Sequence, residues 1–376
     1  MYKEFLRDVI KNINSDEDSG GDSLSRIIFL SWINQNLKND NQGAFEEKLI
    51  ETIKNLGKDD LEEDEEVADL LFLFGYKMRE DLRLEGIGFN NSLLQHYGLE
   101  FYYLELIEIL TRELGHIFSK NIEDDVQDTP MEFLLHQHIR ACSIYSEIIY
   151  LIKGGYGTGA ITRFRSLHEL AVISEFVIES GKEAAECYFD YLPVMQMKDY
   201  IYQKKILGES PDSEMDKKEL LIHLKEIEMR RGKEFVNPRE FNDYMWAKGF
   251  LKEGQNASFN QIRKSIKRKN GLKPYKIASN NIHSAPKSII SSLSTYDGTF
   301  AGGASNIGIS LAGTWGTYEV LQMNRLIFSY IIQAESTELI DKMQSTLILK
   351  MMNYLAKLLY NNFPDKEQEL LEGIES

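Results

Sequence analysis

Residues 148–170 read IIYLIKGGYGTGAITRFRSLHEL: an apolar run, a glycine-rich loop over Gly154–Gly159, and a second helical pattern. The fold class turns on this loop. A strand leading into a phosphate cradle would make the chain an α/β nucleotide-binding protein. A P-loop requires lysine and a hydroxyl residue directly after its last glycine, and here Gly159 is followed by Ala160, Ile161 and Thr162. A dinucleotide-binding turn requires Gly-x-Gly-x-x-Gly after a strand, with an acid further on. The upstream segment has the period of a helix instead. Phe133, Leu134, Ala141, Ile144, Ile148 and Ile152 form one stripe, as a 3.6-residue repeat demands. That helix opens at Thr129-Pro130, a capping hydroxyl followed by proline at the first helical position. The loop therefore joins two antiparallel helices, its glycines allowing positive φ. The free amides at the start of the second helix leave room for an anion there.

Helical spacing continues outward in both directions. Phe101, Leu104, Ile107, Leu110 and Leu114 make a stripe upstream, and 317–334 and 340–363 read as two C-terminal helices. Pro193 should kink the helix that follows Gly181. Period-two alternation never persists, so no sheet is expected. The expected fold is all-α, a multi-helix bundle. An acidic helical N-terminal lobe, 1–125, precedes a main helical domain, 126–376, with the breaker-rich SKNIEDDVQDTP (119–130) linking them.

Composition narrows the function. The chain has 376 residues, 43% hydrophobic and 27% charged, with a formal net charge of -16. So acidic a protein is no general binder of nucleic acid or membrane; a polyanion would need a local basic patch. Two cysteines, Cys142 and Cys187, build no disulfide framework and fit a reducing cytoplasm. No run approaches the ~18–20 apolar residues of a membrane span. Neither the cysteines nor His136-x-His138 has the spacing of a metal site, and no cofactor motif is present.

The helix at 160–179 is apolar around most of its circumference, which argues burial. Yet Arg165, His168 and Glu169 form one patch on it. Arg165 and Glu169 stand at i,i+4 and can pair. Such clusters either specify packing or serve a site. A second feature is the basic run at 263–276, with Arg263, Lys264, Lys267, Arg268, Lys269, Lys273 and Lys276 around Tyr275. Either it balances the acidic lobe, or Lys264, Lys267, Arg268, Lys269 and Lys273 hold RNA with Tyr275 as a stacking ring.

Ala160-x4-Arg165-Ser166-Leu167-x-Glu169, Asp243-Tyr244-x-Trp246-Ala247 and Tyr275-x-x-Ala278-Ser279-x3-His283-Ser284 together resemble an uncharacterised bacterial family often found near mobile elements. The resemblance covers roughly 130–330. It implies Arg165, Glu169 and His283 as the recurring polar set and no agreed activity. Arg163-x4-His168 also resembles the Arg-x4–6-His motif of the HEPN ribonucleases, helical toxins and phage-defence effectors that work as dimers. That resemblance implies metal-free RNA cleavage, in which histidine supplies acid–base chemistry near neutral pH and arginine holds the phosphate. Arg163 and His168 nevertheless lie about 140° apart on the helix.

Two functional expectations follow. One is a cytoplasmic defence- or toxin-type effector acting on RNA as a homo-oligomer, without a metal. In it His168 or His283 is the acid–base group, Arg165 or Arg163 neutralises phosphate, and Glu169 orients the arginine. The other is a non-catalytic helical module that binds a small ligand or a partner protein encoded nearby, with Arg165–Glu169 structural.

Overall fold

In a computed structural model of the chain, the described residues are 65–121, 129–207, 211–237, 242–266, 268, 272–282, 294–296, 299–301 and 303–374. The elements are α1 (Glu65–Lys120), α2 (Thr129–Lys153), α3 (Gly157–Ser180), α4 (Lys182–Asp190), α5 (Leu192–Leu207) and α6 (Pro211–Arg231). A 3-10 turn, Met245–Phe250, α7 (Phe259–Ser265) and α8 (Leu272–Ile282) follow, then α9 (Ile309–Gln333) and α10 (Leu339–Ile374). The chain is all-α. One three-residue hairpin interrupts it: β1 (Ser294–Tyr296) pairs antiparallel with β2 (Thr299–Ala301), Thr295 opposite Phe300. Three residues a side are too few to leave a period-two pattern legible.

The chain divides into two compact units, Met1–Leu84 and Glu85–Ser376. The boundary expected near 125 is thus displaced. Leu93, Tyr97, Phe101, Leu104, Ile107, Leu114 and Phe118 of α1 are buried in one core with α2, α3, α9 and α10. The stripe read in α1 was correct; its partner is the main domain, so it belongs there. The remainder of the expected N-terminal lobe, residues 1–64, lies outside the described residues.

Helix α3 is the hub, packing against α2, α4, α7, α8 and α9. Its first half, through Ala160, Phe164, Leu167 and Ala171, enters the core shared with α1, α2, α9 and α10. Its second half, through Val172, Phe176 and Val177, enters a second core with α4, α5, the 3-10 turn and α7. Trp246 belongs to that second core, against Tyr188 and Phe176. Gly181 ends α3 at φ 86°, its N–H donating to Val177 O. Pro193 breaks the helix rather than kinking it. It is the second residue of α5, where a missing N–H costs nothing.

The glycine loop has a second reason for its composition. Gly155 turns the chain at φ 78°, and its carbonyl accepts from Ser305 N at 2.8 Å. Tyr156 bridges to Ser305. A Cβ on Gly157 would lie 2.2 Å from Ile307 O and 2.7 Å from Ile309 N. The loop at 154–159 and the small-residue stretch before α9 are therefore two backbones in direct contact, which only glycine permits.

A buried polar chain ties α1, α2 and α9 together. His138 Nε2 donates to Asn324 Oδ1 (3.1 Å), and Asn324 Nδ2 donates to Thr111 Oγ1 (2.9 Å). Gly115 leaves the space for the His138 ring, because a Cβ there would come within 2.6 Å of it. Burial pushes the His138 imidazole down to about 4 and the neighbouring Cys142 thiol up to about 11. This cysteine–histidine contact, 3.7 Å, is thus neutral and inert. In the unfolded chain a histidine takes up its proton near pH 6.5. The unfolded state therefore binds more protons than the folded state between pH 6.5 and about 4. Stability is full above that window and falls through it, by up to ~1.4 kcal/mol per pH unit. Chemical-denaturant unfolding at pH 7, 6 and 5 should show this fall, and His138→Gln should flatten it.

Candidate functional site

The polar patch read on α3 is real, and it is split between surface and interior. On the outer side Arg165 Nε donates to Glu169 Oε1 at 2.9 Å, and Tyr275 of α8 donates its hydroxyl to the same oxygen, also at 2.9 Å. The Arg165 guanidinium lies over the Tyr275 ring, 5.3 Å from its centre. All three side chains are half-buried. Burial and the Glu169 carboxylate raise the Tyr275 hydroxyl.

On the inner side His168 is buried, 1% exposed, and donates Nδ1–H to Glu319 Oε1 of α9 at 2.7 Å. Glu319 is equally buried, and its other oxygen accepts from Arg268 Nη1 at 2.7 Å. Arg268 Nε lies 2.7 Å from Glu175 Oε2, close enough to pair by charge. Burial raises the Glu175 carboxyl and Arg268 opposes that rise. The result is an alternating chain, His168–Glu319–Arg268–Glu175, linking α3, α9 and the segment before α8. His168 Nε2 and Arg268 Nη2 have no hydrogen-bond partner among the described residues. Phe164, Phe259 and Tyr275 surround the imidazole ring.

Three sequence-based assignments change here. Arg163 and His168 do not converge. Arg163 faces a polar cleft of about 880 Å³ between α2 and α3, where it pairs with Glu147, while His168 faces the core. The 140° between them on one helix is the cause. Arg268 is not part of a solvent-facing basic surface, because its side chain is 6% exposed and committed to two carboxylates. Tyr275 is bound to Glu169 and Arg165, not free to stack. Lys264 and Lys273 are exposed as expected. His283, Lys267 and Lys269 lie outside the described residues. His136 is exposed and His138 buried, on different faces of α2. Among the described residues no three His, Cys, Asp or Glu side chains gather.

Sequence reasoning missed Glu319. Its signal was a carboxylate on the buried face of α9, between the buried Thr317 and Val320. It also missed a cleft of about 390 Å³ where α3, α8, α9 and α10 meet. Phe164, Trp315, Tyr318 and Tyr360 line that cleft beside Pro274, and Glu319 forms part of its wall. Residues so far apart in sequence leave no local pattern.

Residues 131–300 match a family described as of unknown function (DUF5677). The resemblance to an uncharacterised family holds over that segment, which carries α2 to α8 and with them Arg165, His168, Glu169, Arg268 and Tyr275. No curated protein and no solved structure matches the chain. The HEPN resemblance finds no support in these comparisons. No described helix is long and apolar enough to cross a membrane.

Proposed function

We propose that the chain is a non-catalytic helical binding module whose ligand enters the cleft between α3, α8, α9 and α10. The observation that carries this reading is the pairing of aromatic walls, Phe164, Trp315, Tyr318 and Tyr360, with the single carboxylate of Glu319. A largely apolar pocket with few convergent polar groups is the usual form of a small-molecule site. Glu319 is held by His168 and Arg268, so its position is fixed before any ligand arrives. The aromatic walls favour a planar ligand that stacks on the rings, and the Glu319 charge behind them, bonded through both oxygens to His168 and Arg268, disfavours an anion. His168 acts here as a positioning residue. Its burial removes it from contact with a macromolecular substrate.

Thermal unfolding with a panel of amino-substituted heteroaromatics, adenine, cytosine and 2-aminopurine among them, tests this. A binder at a hundredfold its Kd adds about 2.7 kcal/mol, and the gain should disappear in Trp315→Ala. If the whole panel leaves the unfolding temperature unchanged, the cleft is not the site. A second reading, an RNA-directed defence or toxin effector, is favoured by the exposed Lys264 and Lys273, both in the basic run that leads up to Tyr275. Catalysis would then fall to His283. RNA cleavage by the wild type that persists in EDTA and is lost in His283→Ala would decide for that reading.

A further inference from the structure

Helix α10 carries two apolar faces. One packs inward through Met352, Leu355, Ala356, Leu359 and Phe363. The other consists of Ile340, Met343, Leu347, Met351 and Tyr354, each between 44% and 65% exposed. At 100° per residue these five fall within an arc of about 80°. Among the described residues nothing covers them. Surface leucine, isoleucine and methionine scattered singly need no explanation, but a continuous stripe along a helix marks an interface.

The spacing says which interface. The steps along the stripe are three, four, four and three residues, symmetric about Leu347. Steps of three and four are those of a helix-pairing seam. Their symmetry is what an isologous contact needs, in which one patch meets itself across a two-fold axis. We infer that α10 pairs antiparallel with α10 of a second copy of this chain, the axis passing through Leu347. Ile340 then meets Tyr354 of the second copy, Met343 meets Met351, and Leu347 meets its own counterpart. Charge agrees with the direction. Exposed Glu335 and Glu338 lie just before the helix, and exposed Lys350 and Lys357 lie along its middle. Antiparallel pairing about Leu347 brings Glu338 of one copy level with Lys357 of the other, whereas parallel pairing would set Lys350 and Lys357 against their own counterparts. Across the axis Lys350 falls beside Gln344, so no like charges oppose. The helix macrodipoles also oppose each other favourably in this arrangement. The inference is independent of what the aromatic cleft binds.

Cysteine cross-linking in the full-length chain tests both the partner and the register. Leu347→Cys lies on the axis, so mild oxidation should give a disulfide-linked dimer. Met343→Cys should not link to itself, because its two copies stand eight residues, about 12 Å, apart along the pair. Mixing Met343→Cys with Met351→Cys should restore the link. The unsubstituted chain, with half-buried Cys142 and buried Cys187, gives the background. Leu347→Glu should turn a dimer in sedimentation equilibrium into a monomer with a retained helical spectrum. A wild-type chain that stays monomeric across the micromolar range overturns the inference. So does self-linking of Met343→Cys as efficient as that of Leu347→Cys; the stripe would then be covered by another part of the chain or pair in another register.

Discussion

Arg268→Ala lowers the unfolding free energy by about 3–5 kcal/mol, the usual cost of removing one partner from a buried ion cluster. The reason lies in what stays behind. Glu319 is 1% exposed and, among the described residues, would keep only His168 as a partner, while Glu175 would lose the cation that faces it. For a folded unit of this size such a loss lowers the melting temperature on the order of 10 °C. The effect should reverse in part when the stranded charges are also removed. Arg268→Ala combined with Glu319→Gln and Glu175→Gln should melt above Arg268→Ala alone, because uncompensated charge is what costs most. Calorimetry of the three proteins checks this. If Arg268→Ala melts with the wild type, the arginine does not bridge the two carboxylates and the inner half of the site is misassigned.

Gly157→Ala should cost about 3 kcal/mol, the upper end of what overpacking does. The added methyl would meet the backbone of Ile307 and Ile309, which cannot rotate away as a side chain can. Gly159, two residues on, is the internal control. The nearest atoms to a Cβ there are 3.9 Å away, ordinary contact. Alanine at a helical glycine with room for it stabilises by roughly 0.5–1 kcal/mol. Two glycines of one loop should therefore respond with opposite signs, and denaturant unfolding of the two single variants measures both.

This contrast shows how far sequence reading reached. The loop was correctly read as a turn between two helices, because Phe133 to Ile152 already form a helical stripe. It was assigned glycines for turning alone, because the backbone at 307–309 that presses against Gly157 is 150 residues away and has no local signature. The same divide runs through the site. Arg165–Glu169 was legible, since i,i+4 neighbours on a helix meet by geometry. The His168–Glu319 contact spans 151 residues, and the Arg268–Glu319 contact 51. Arg268 looked like one cation in a solvated run; burial made it different from Lys264 and Lys273. Burial likewise places His168 in the interior beside Glu319, and the apolar circumference of α3 gave warning of it.

The central claim is that the polar cluster of α3 holds an interior carboxylate in place and does not present an imidazole to a substrate. Acylation of the native protein with diethyl pyrocarbonate, read histidine by histidine by peptide mass mapping, tests it most directly. The account predicts fast modification of the exposed His136, with His168 and His138 protected until the chain unfolds. Modification of His168 at the rate of His136 would place that imidazole at the surface and contradict the account.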